Sequence, residues 1–152
     1  MTFIDKFDAP FGELRIVSRD NCITNIDIKK AEVSTGDPPL CVRECKLQLE
    51  KYFKGELKEF TFKISPEGTD FQKRVWSGLQ AIPWGKTETY SELAQNIGCP
   101  QGYRAAANAC GKNPILIVIP CHRCLAKDGL GGFSCGIEKK KYLLALESSN
   151  KK

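Results

Sequence analysis

The sequence predicts an α+β chain of two lobes, strand-rich in front and helical behind. Three observations carry that prediction. Residues 1–64 hold short alternating apolar segments punctuated by turn residues. The run Ser65-Pro66-Glu67-Gly68 then breaks the composition. Beyond it, two capping-box patterns each open a stretch of helical periodicity. A length of 152 residues suits one domain or two small lobes, and 41% hydrophobic against 27% charged residues marks a globular chain. The front lobe is set at residues 1–64 and the rear one at 69–152.

In the front lobe, Phe3 to Phe7, Leu14 to Val17 and Ile23 to Ile28 alternate apolar and polar residues, the period of half-buried strands. Ala9-Pro10-Phe11-Gly12 and Arg19-Asp20-Asn21 are the turns between them, which makes an antiparallel meander. A looser stretch, Ser34-Thr35-Gly36-Asp37-Pro38-Pro39, follows. A helix is predicted from about Leu40 to Lys54, with Val42, Leu47, Leu49 and Phe53 apolar and Gly55 as its stop. Phe60 to Ile64 is expected to add an edge strand.

The rear lobe opens with Thr69 and Gln72 in capping-box spacing, and Phe71, Val75, Leu79 and Ile82 then share one helical face. Pro83-Trp84-Gly85 breaks the chain. Thr89 with Glu92 repeats the box and starts a helix to about Ile97; Gly98-Cys99-Pro100 turns, and a second helix runs from about Gln101 to Cys110. Two short helices about a glycine turn have the form of a helix-turn-helix. The second carries Arg104-Ala105-Ala106-Ala107-Asn108-Ala109, a surface with little bulk except one arginine. Such a helix either packs tightly in a core or presses its backbone against a partner. A guanidinium is costly to bury unpaired, which favours the contact surface.

Next comes Ile115-Leu116-Ile117-Val118-Ile119, which reads as a buried strand ended by Pro120. Cys121 would then sit at the strand's mouth beside His122, the only histidine in the chain. An imidazole beside a thiol is a layout for a thiolate nucleophile. Gly129-Leu130-Gly131-Gly132-Phe133 lacks the lysine and hydroxyl of a phosphate loop; it suits close backbone approach to a flat ligand, with Phe133 to stack. A last helix runs from about Ile137 to Glu147, with Leu143, Leu144 and Leu146. Glu147 opposes the helix dipole there, so it is either solvated or has a positive partner or a task.

Net charge is +5, compatible with a polyanion partner but common in small proteins. No apolar run approaches the ~20 residues of a membrane span, and the N-terminus lacks a signal-peptide pattern. A cytoplasmic location is expected, or a nuclear one in a eukaryote. Eight cysteines without a secretion signal argue against a disulfide framework. Cys121-His122-Arg123-Cys124 has C-x-x-C spacing, but zinc would need a second pair, for which only Cys41 and Cys45 are close together.

Taken together, residues 69–147 resemble the O6-alkylguanine-DNA alkyltransferase family. The resemblance is carried by Phe71-Gln72-Lys73-Arg74-Val75-Trp76, Ile82-Pro83-Trp84-Gly85, Thr89-Tyr90, Arg104-Ala105-Ala106, Asn113-Pro114, Ile119-Pro120-Cys121-His122-Arg123 and Leu143-Leu144-Ala145-Leu146-Glu147, in order and spacing. It implies a ribonuclease-H-like front lobe and a winged helix-turn-helix behind. It implies stoichiometric repair of O6-alkylguanine in flipped-out form, with Cys121 as alkyl acceptor, His122 as its base, Glu147 holding His122, Tyr90 donating a proton to the departing guanine, and Asn113 bracing the turn. Arg104 would fill the gap in the duplex. Ala105, Arg123 and Phe133 would belong to the DNA and guanine contacts, with the Ser134 amide and the Cys121 and Cys124 carbonyls reading the guanine edge. Double-stranded DNA is the implied partner of a monomer that needs no cofactor and no metal. Cys124, where the family commonly has valine, and Tyr103, where a small residue is usual, depart from the pattern. Two other readings remain at this point: a non-enzymatic reader of alkylated bases, which Cys121 argues against, and a cysteine-dependent hydrolase.

Overall fold

A computed structural model describes residues 2–127, 129–131, 133 and 136–149. The chain divides into two compact units, residues 1–67 and 68–152.

In the first unit, β1 (Thr2–Ala9), β2 (Gly12–Arg19) and β3 (Cys22–Asp27) form the expected antiparallel meander. Asp20 and Asn21 both take positive φ, 52° and 59°, which matches the twist of a two-residue hairpin and suits these residue types. Helix α1 (Leu40–Phe53) packs on the sheet and buries Val42, Cys45, Leu49 and Tyr52 against Leu14, Ile16, Ile23 and Ile26. Pro39 at its N-cap has no side chain to accept an orphan N–H; Asn21 Oδ1 accepts from Cys41 N instead, at 3.0 Å. The edge strand expected at 60–64 is absent. That segment makes one parallel bridge, Ile64 to Ile23, and Phe60 turns its ring onto Tyr52 rather than joining the sheet.

The second unit contains α2 (Asp70–Gln80), β4 (Glu88–Thr89), α3 (Tyr90–Asn96), α4 (Tyr103–Gly111), a 3-10 turn over Cys121–Arg123, β5 (Cys124–Leu125) and α5 (Ile137–Ser149). Both predicted capping boxes form, at Thr69 with Gln72 and at Thr89 with Glu92. Gly98 ends α3 at φ 83°; Gly98 N bonds Gln95 O and Cys99 N bonds Ala94 O, the two bonds of a Schellman stop. α4 begins two residues later than expected. Gly102 N closes a turn onto Cys99 O, and the first helical bond runs from Ala106 N to Gly102 O. Ala106 and Ala109 let α4 pack closely within this unit, and Trp76 Nε1 donates to Ala109 O at 2.9 Å to fix it. Tyr103, Arg104, Ala105 and Asn108 stay exposed on its other face.

The run 115–119 is the main departure. It is buried but it is no strand. Val118 N bonds Leu116 O at 2.8 Å across Ile117, whose φ is 73°: a γ-turn of the strained, φ-positive kind. Cys121 N bonds Ile119 O at 2.8 Å across Pro120, at φ −82° and ψ 65°, the relaxed inverse γ-turn. A continuous apolar run reports burial all round, and periodicity alone does not distinguish a strand from a buried turn.

Candidate active site

Asn113 holds this double turn together. Its Nδ2 donates to Ile119 O at 2.7 Å and to Cys121 Sγ at 3.1 Å, while Oδ1 accepts from Ile115 N at 2.9 Å. One amide therefore ties the end of α4 to the cysteine and spans the strained residue between them. A β-branched residue at positive φ costs about 1–3 kcal/mol, so such a turn persists only where its surroundings over-determine it.

Cys121, His122 and Arg123 follow in the 3-10 turn, all buried. Glu147, in the last turn of α5, receives two of them. Its Oε1 accepts from Arg123 Nε at 2.7 Å, and its Oε2 accepts from Arg123 Nη2 at 3.0 Å and faces His122 Nε2 at 2.7 Å. Arg123 Nη1 goes on to Ile82 O at 2.6 Å. Burial pushes the Glu147 carboxyl up, but the bonds and charges of His122 and Arg123 outweigh it and hold its pKa at about 2. For His122 the balance is reversed. Burial lowers its pKa; the Glu147 carboxylate raises it, and the Arg123 and Lys140 charges lower it further, leaving it below the ordinary 6.5. The imidazole is thus neutral at pH 7, and the carboxylate partner assigns its proton to Nε2. Nδ1 is left with a free lone pair, buried and without a hydrogen-bond partner among the described residues.

A cavity of about 440 Å³ opens beside Cys121, walled by Tyr90, Cys110 and Phe133 and by α4 at Ala107 and Asn108. That volume lies within the range for small-ligand sites. Burial raises the Tyr90 phenol to about 12, and the nearby Cys110, Cys124 and Cys121 thiols add to the shift, so it keeps its proton. Gly131, at φ 73°, lies so close that a Cβ there would stand 3.2 Å from the Tyr90 hydroxyl. A side chain there would crowd Tyr90 and would sit on a backbone conformation that favours glycine.

The structure brings Cys121, His122, Glu147, Asn113, Tyr90, Cys124 and Phe133 together. Arg104 and Ala105 stand apart from them on the exposed face of α4, with the Arg104 guanidinium 5.8 Å from the Tyr103 ring centroid. Arg123 departs from expectation: it is 6% exposed and its guanidinium is spent on Glu147 and Ile82, so it braces the site and is not placed to touch a duplex. Ser134 lies outside the described residues. The two carbonyls expected to read guanine already accept protein bonds, Cys121 O from Cys124 N and Cys124 O from Lys140 Nζ at 2.7 Å; a carbonyl has a second lone pair to offer. Lys140 was missed. It is fully buried, and its ammonium also donates to Leu130 O at 2.6 Å, joining the glycine loop to β5. The signal was present: Lys140, Leu143 and Glu147 are spaced three and four apart on one face of α5.

Comparison with known proteins agrees with this geometry. Residues 70–149 match the family model for the 6-O-methylguanine DNA methyltransferase DNA binding domain, and residues 3–66 match that for its ribonuclease-like domain. The chain belongs to the 6-O-methylguanine DNA methyltransferase family. A methylated-DNA--protein-cysteine methyltransferase of Methanosarcina barkeri is 41% identical over 155 residues, 97% of this chain and 98% of its own. The solved O6-methylguanine methyltransferase of Mycobacterium tuberculosis is 38% identical, covers all of this chain and 96% of its own, and superposes with a TM-score of 0.90. An OGT of the same organism in complex with DNA is 40% identical over 95% of this chain and 92% of its own, with a TM-score of 0.86. Among the described residues no group of three or more His, Cys, Asp or Glu side chains is arranged to hold a metal ion, and no helix is long and apolar enough to cross a membrane.

The Glu147 assignment fixes a pH dependence for a protein of this family. The carboxyl ionises near 2 in the folded state against 4.5 otherwise, so its contribution to stability is complete above 4.5 and is lost as pH falls toward 2. The lowered pKa of His122 acts in the same sense below 6.5. Urea unfolding should show stability declining from about pH 7 to about pH 3, with Glu147→Gln flattening the acid part of the slope. Equal acid slopes in the two proteins would contradict the pairing.

Proposed function

We propose that this methyltransferase repairs O6-alkylguanine in duplex DNA by moving the alkyl group onto Cys121, once per molecule. The observation that carries the assignment is the buried His122 next to Cys121, its Nε2 2.7 Å from Glu147 Oε2 and its Nδ1 unbonded among the described residues. Glu147 takes its Nε2 proton side, which leaves Nδ1 as the acceptor on a residue adjacent in sequence to the thiol. Adjacent residues of a 3-10 turn project about 120° apart, so the Cys121 proton reaches Nδ1 through a bridging water. The thiolate attacks the alkyl carbon. A sulfur–carbon bond forms, the carbon–O6 bond breaks, and the electron pair leaves on guanine. Tyr90, kept protonated by burial, donates a proton to the departing base, and restored guanine is released.

The lesion must first leave the base stack, at a cost of a few kcal/mol. Arg104 is suited to offset part of that cost. It projects from the exposed face of α4, where Ala105 lets the backbone approach the groove, and it fills the space the extruded base leaves. The cavity against Tyr90 and Phe133 receives the base. The thioether product is stable and none of the described residues at the site is placed to cleave it, hence the single turnover. We place this chemistry in the cytoplasm.

Intact-mass spectrometry after mixing with excess methylated duplex tests the assignment. One methyl should be gained per chain, on the peptide holding Cys121, and Cys121→Ala should gain none while still binding duplex. Many lesions repaired per chain, or methyl on another cysteine, would overturn it. Arg104→Ala should slow repair in duplex by about tenfold, the equivalent of about 1.4 kcal/mol, and leave reaction with free O6-benzylguanine almost untouched. Equal losses on the two substrates would reject the gap-filling role.

A further inference from the structure

The proposed reaction gives Arg104 a task and leaves its neighbour Tyr103 without one. Tyr103 is the first residue of α4, and its side chain is 46% exposed. It does not serve the core, which α4 reaches through Ala106, Ala109 and Cys110. Its ring has a contact of another kind. The Arg104 guanidinium carbon stands over it, 5.8 Å from the centroid, within the range of a cation–π attraction. Side chains of adjacent helical residues leave the axis about 100° apart, so the contact requires the arginine to lean toward the ring. Arg104 has no hydrogen bond or ion pair among the described residues. A ring attracts a guanidinium through its face, which leaves the five N–H donors free for other partners.

The pair also stands in the right place. Tyr103 and Arg104 lie one turn before Ala107 and Asn108 on the same two rows of α4, and Ala107 and Asn108 wall the cavity beside Cys121. The helix that carries them is anchored by Trp76 Nε1 on Ala109 O. We infer that Tyr103 is a positioning residue for base extrusion: its ring holds the Arg104 guanidinium ready for the gap in the duplex. This rests on the gap-filling role proposed above for Arg104. An exposed arginine samples many rotamers, and insertion between stacked bases fixes one of them. A ring that already restricts the side chain reduces the entropy lost at insertion, which is the gain of preorganisation. The guanidinium keeps its donors for the orphaned base and the phosphates. Tyr103 touches no reacting atom, so it makes no difference to a base that needs no extrusion.

A double-mutant cycle on the full-length protein tests this. Transfer is timed from an O6-methylguanine duplex and from free O6-benzylguanine, and extrusion is read alongside from the fluorescence of 2-aminopurine set in the lesion's place. Tyr103→Ala and Tyr103→Leu should each slow extrusion and duplex transfer about threefold and leave the reaction with O6-benzylguanine unchanged. Tyr103→Phe retains the ring and should retain the rate. In an Arg104→Ala background, Tyr103→Ala should cause no further loss. The proposal is overturned if Tyr103→Ala leaves duplex transfer unchanged or faster, if Tyr103→Leu retains the rate, if Tyr103→Phe loses as much as Tyr103→Ala, or if free O6-benzylguanine suffers equally. The same threefold loss in the Arg104→Ala background would overturn it too and make Tyr103 a DNA contact in its own right. The two readings fail differently. If Arg104→Ala leaves duplex transfer unchanged, the gap-filling role falls and this proposal with it; if Arg104→Ala is slow and Tyr103→Ala is not, this proposal falls alone. A chain that extrudes 2-aminopurine without transferring methyl refutes the transfer and still decides the part of Tyr103 by extrusion.

Discussion

The bidentate pair between Arg123 and Glu147 is the interaction on which the site depends. Both partners are almost fully buried, and each makes a further bond, Arg123 to Ile82 O and Glu147 to His122. Removing either partner of such a pair typically costs about 3–5 kcal/mol, because the survivor is left as an uncompensated buried charge. The pair therefore keeps a carboxylate in the last turn of a helix, where the dipole disfavours it. It also sets the tautomer of the imidazole. Burial keeps His122 from becoming a cation, the Arg123 charge adds to that, and Glu147 orients the ring.

The second constraint is backbone strain. Two γ-turns in six residues, 116–121, bring Cys121 out of the apolar run, and Asn113 is the clamp that makes this conformation the stable one. The same amide reaches the sulfur. The residues that follow α4, the turn and the nucleophile are thus mechanically one object. α4 itself is fixed from behind by Trp76 and presents a low, alanine-rich face with Arg104 outward.

Much of this was legible in the residues. Thr69 with Gln72 and Thr89 with Glu92 announced their helices because a capping box is a local, reciprocal pattern. The meander showed because apolar and polar residues alternate between clear turn signals, even though β2 buries Ile16, Val17 and Ser18 in succession where the register shifts. Cys121, His122, Asn113 and Glu147 were readable through the motif they share with a family. What failed, failed for stated physical reasons. Residues 115–119 are apolar because they are buried, and burial does not encode direction. The family resemblance places Arg123 among the DNA and guanine contacts; only the fold shows its guanidinium held by Glu147 and Ile82 O. Lys140 sits among surface lysines in Glu138-Lys139-Lys140-Lys141, and helix phase rather than residue type separates it from them. Gln101 lies in the turn before α4 and not in the helix, because Gly102 closes onto Cys99 before any helical bond begins.

The account stands or falls on the state of one side chain, and the chain contains only one histidine to observe. Nitrogen-15 NMR of the imidazole, followed through a pH titration, reads that state directly. The prediction is a neutral ring at pH 7 with its proton on Nε2, a bare Nδ1, and a titration midpoint below 6.5. A ring already cationic at pH 7, or a neutral ring protonated at Nδ1, would leave no base for the thiol and would contradict the mechanism.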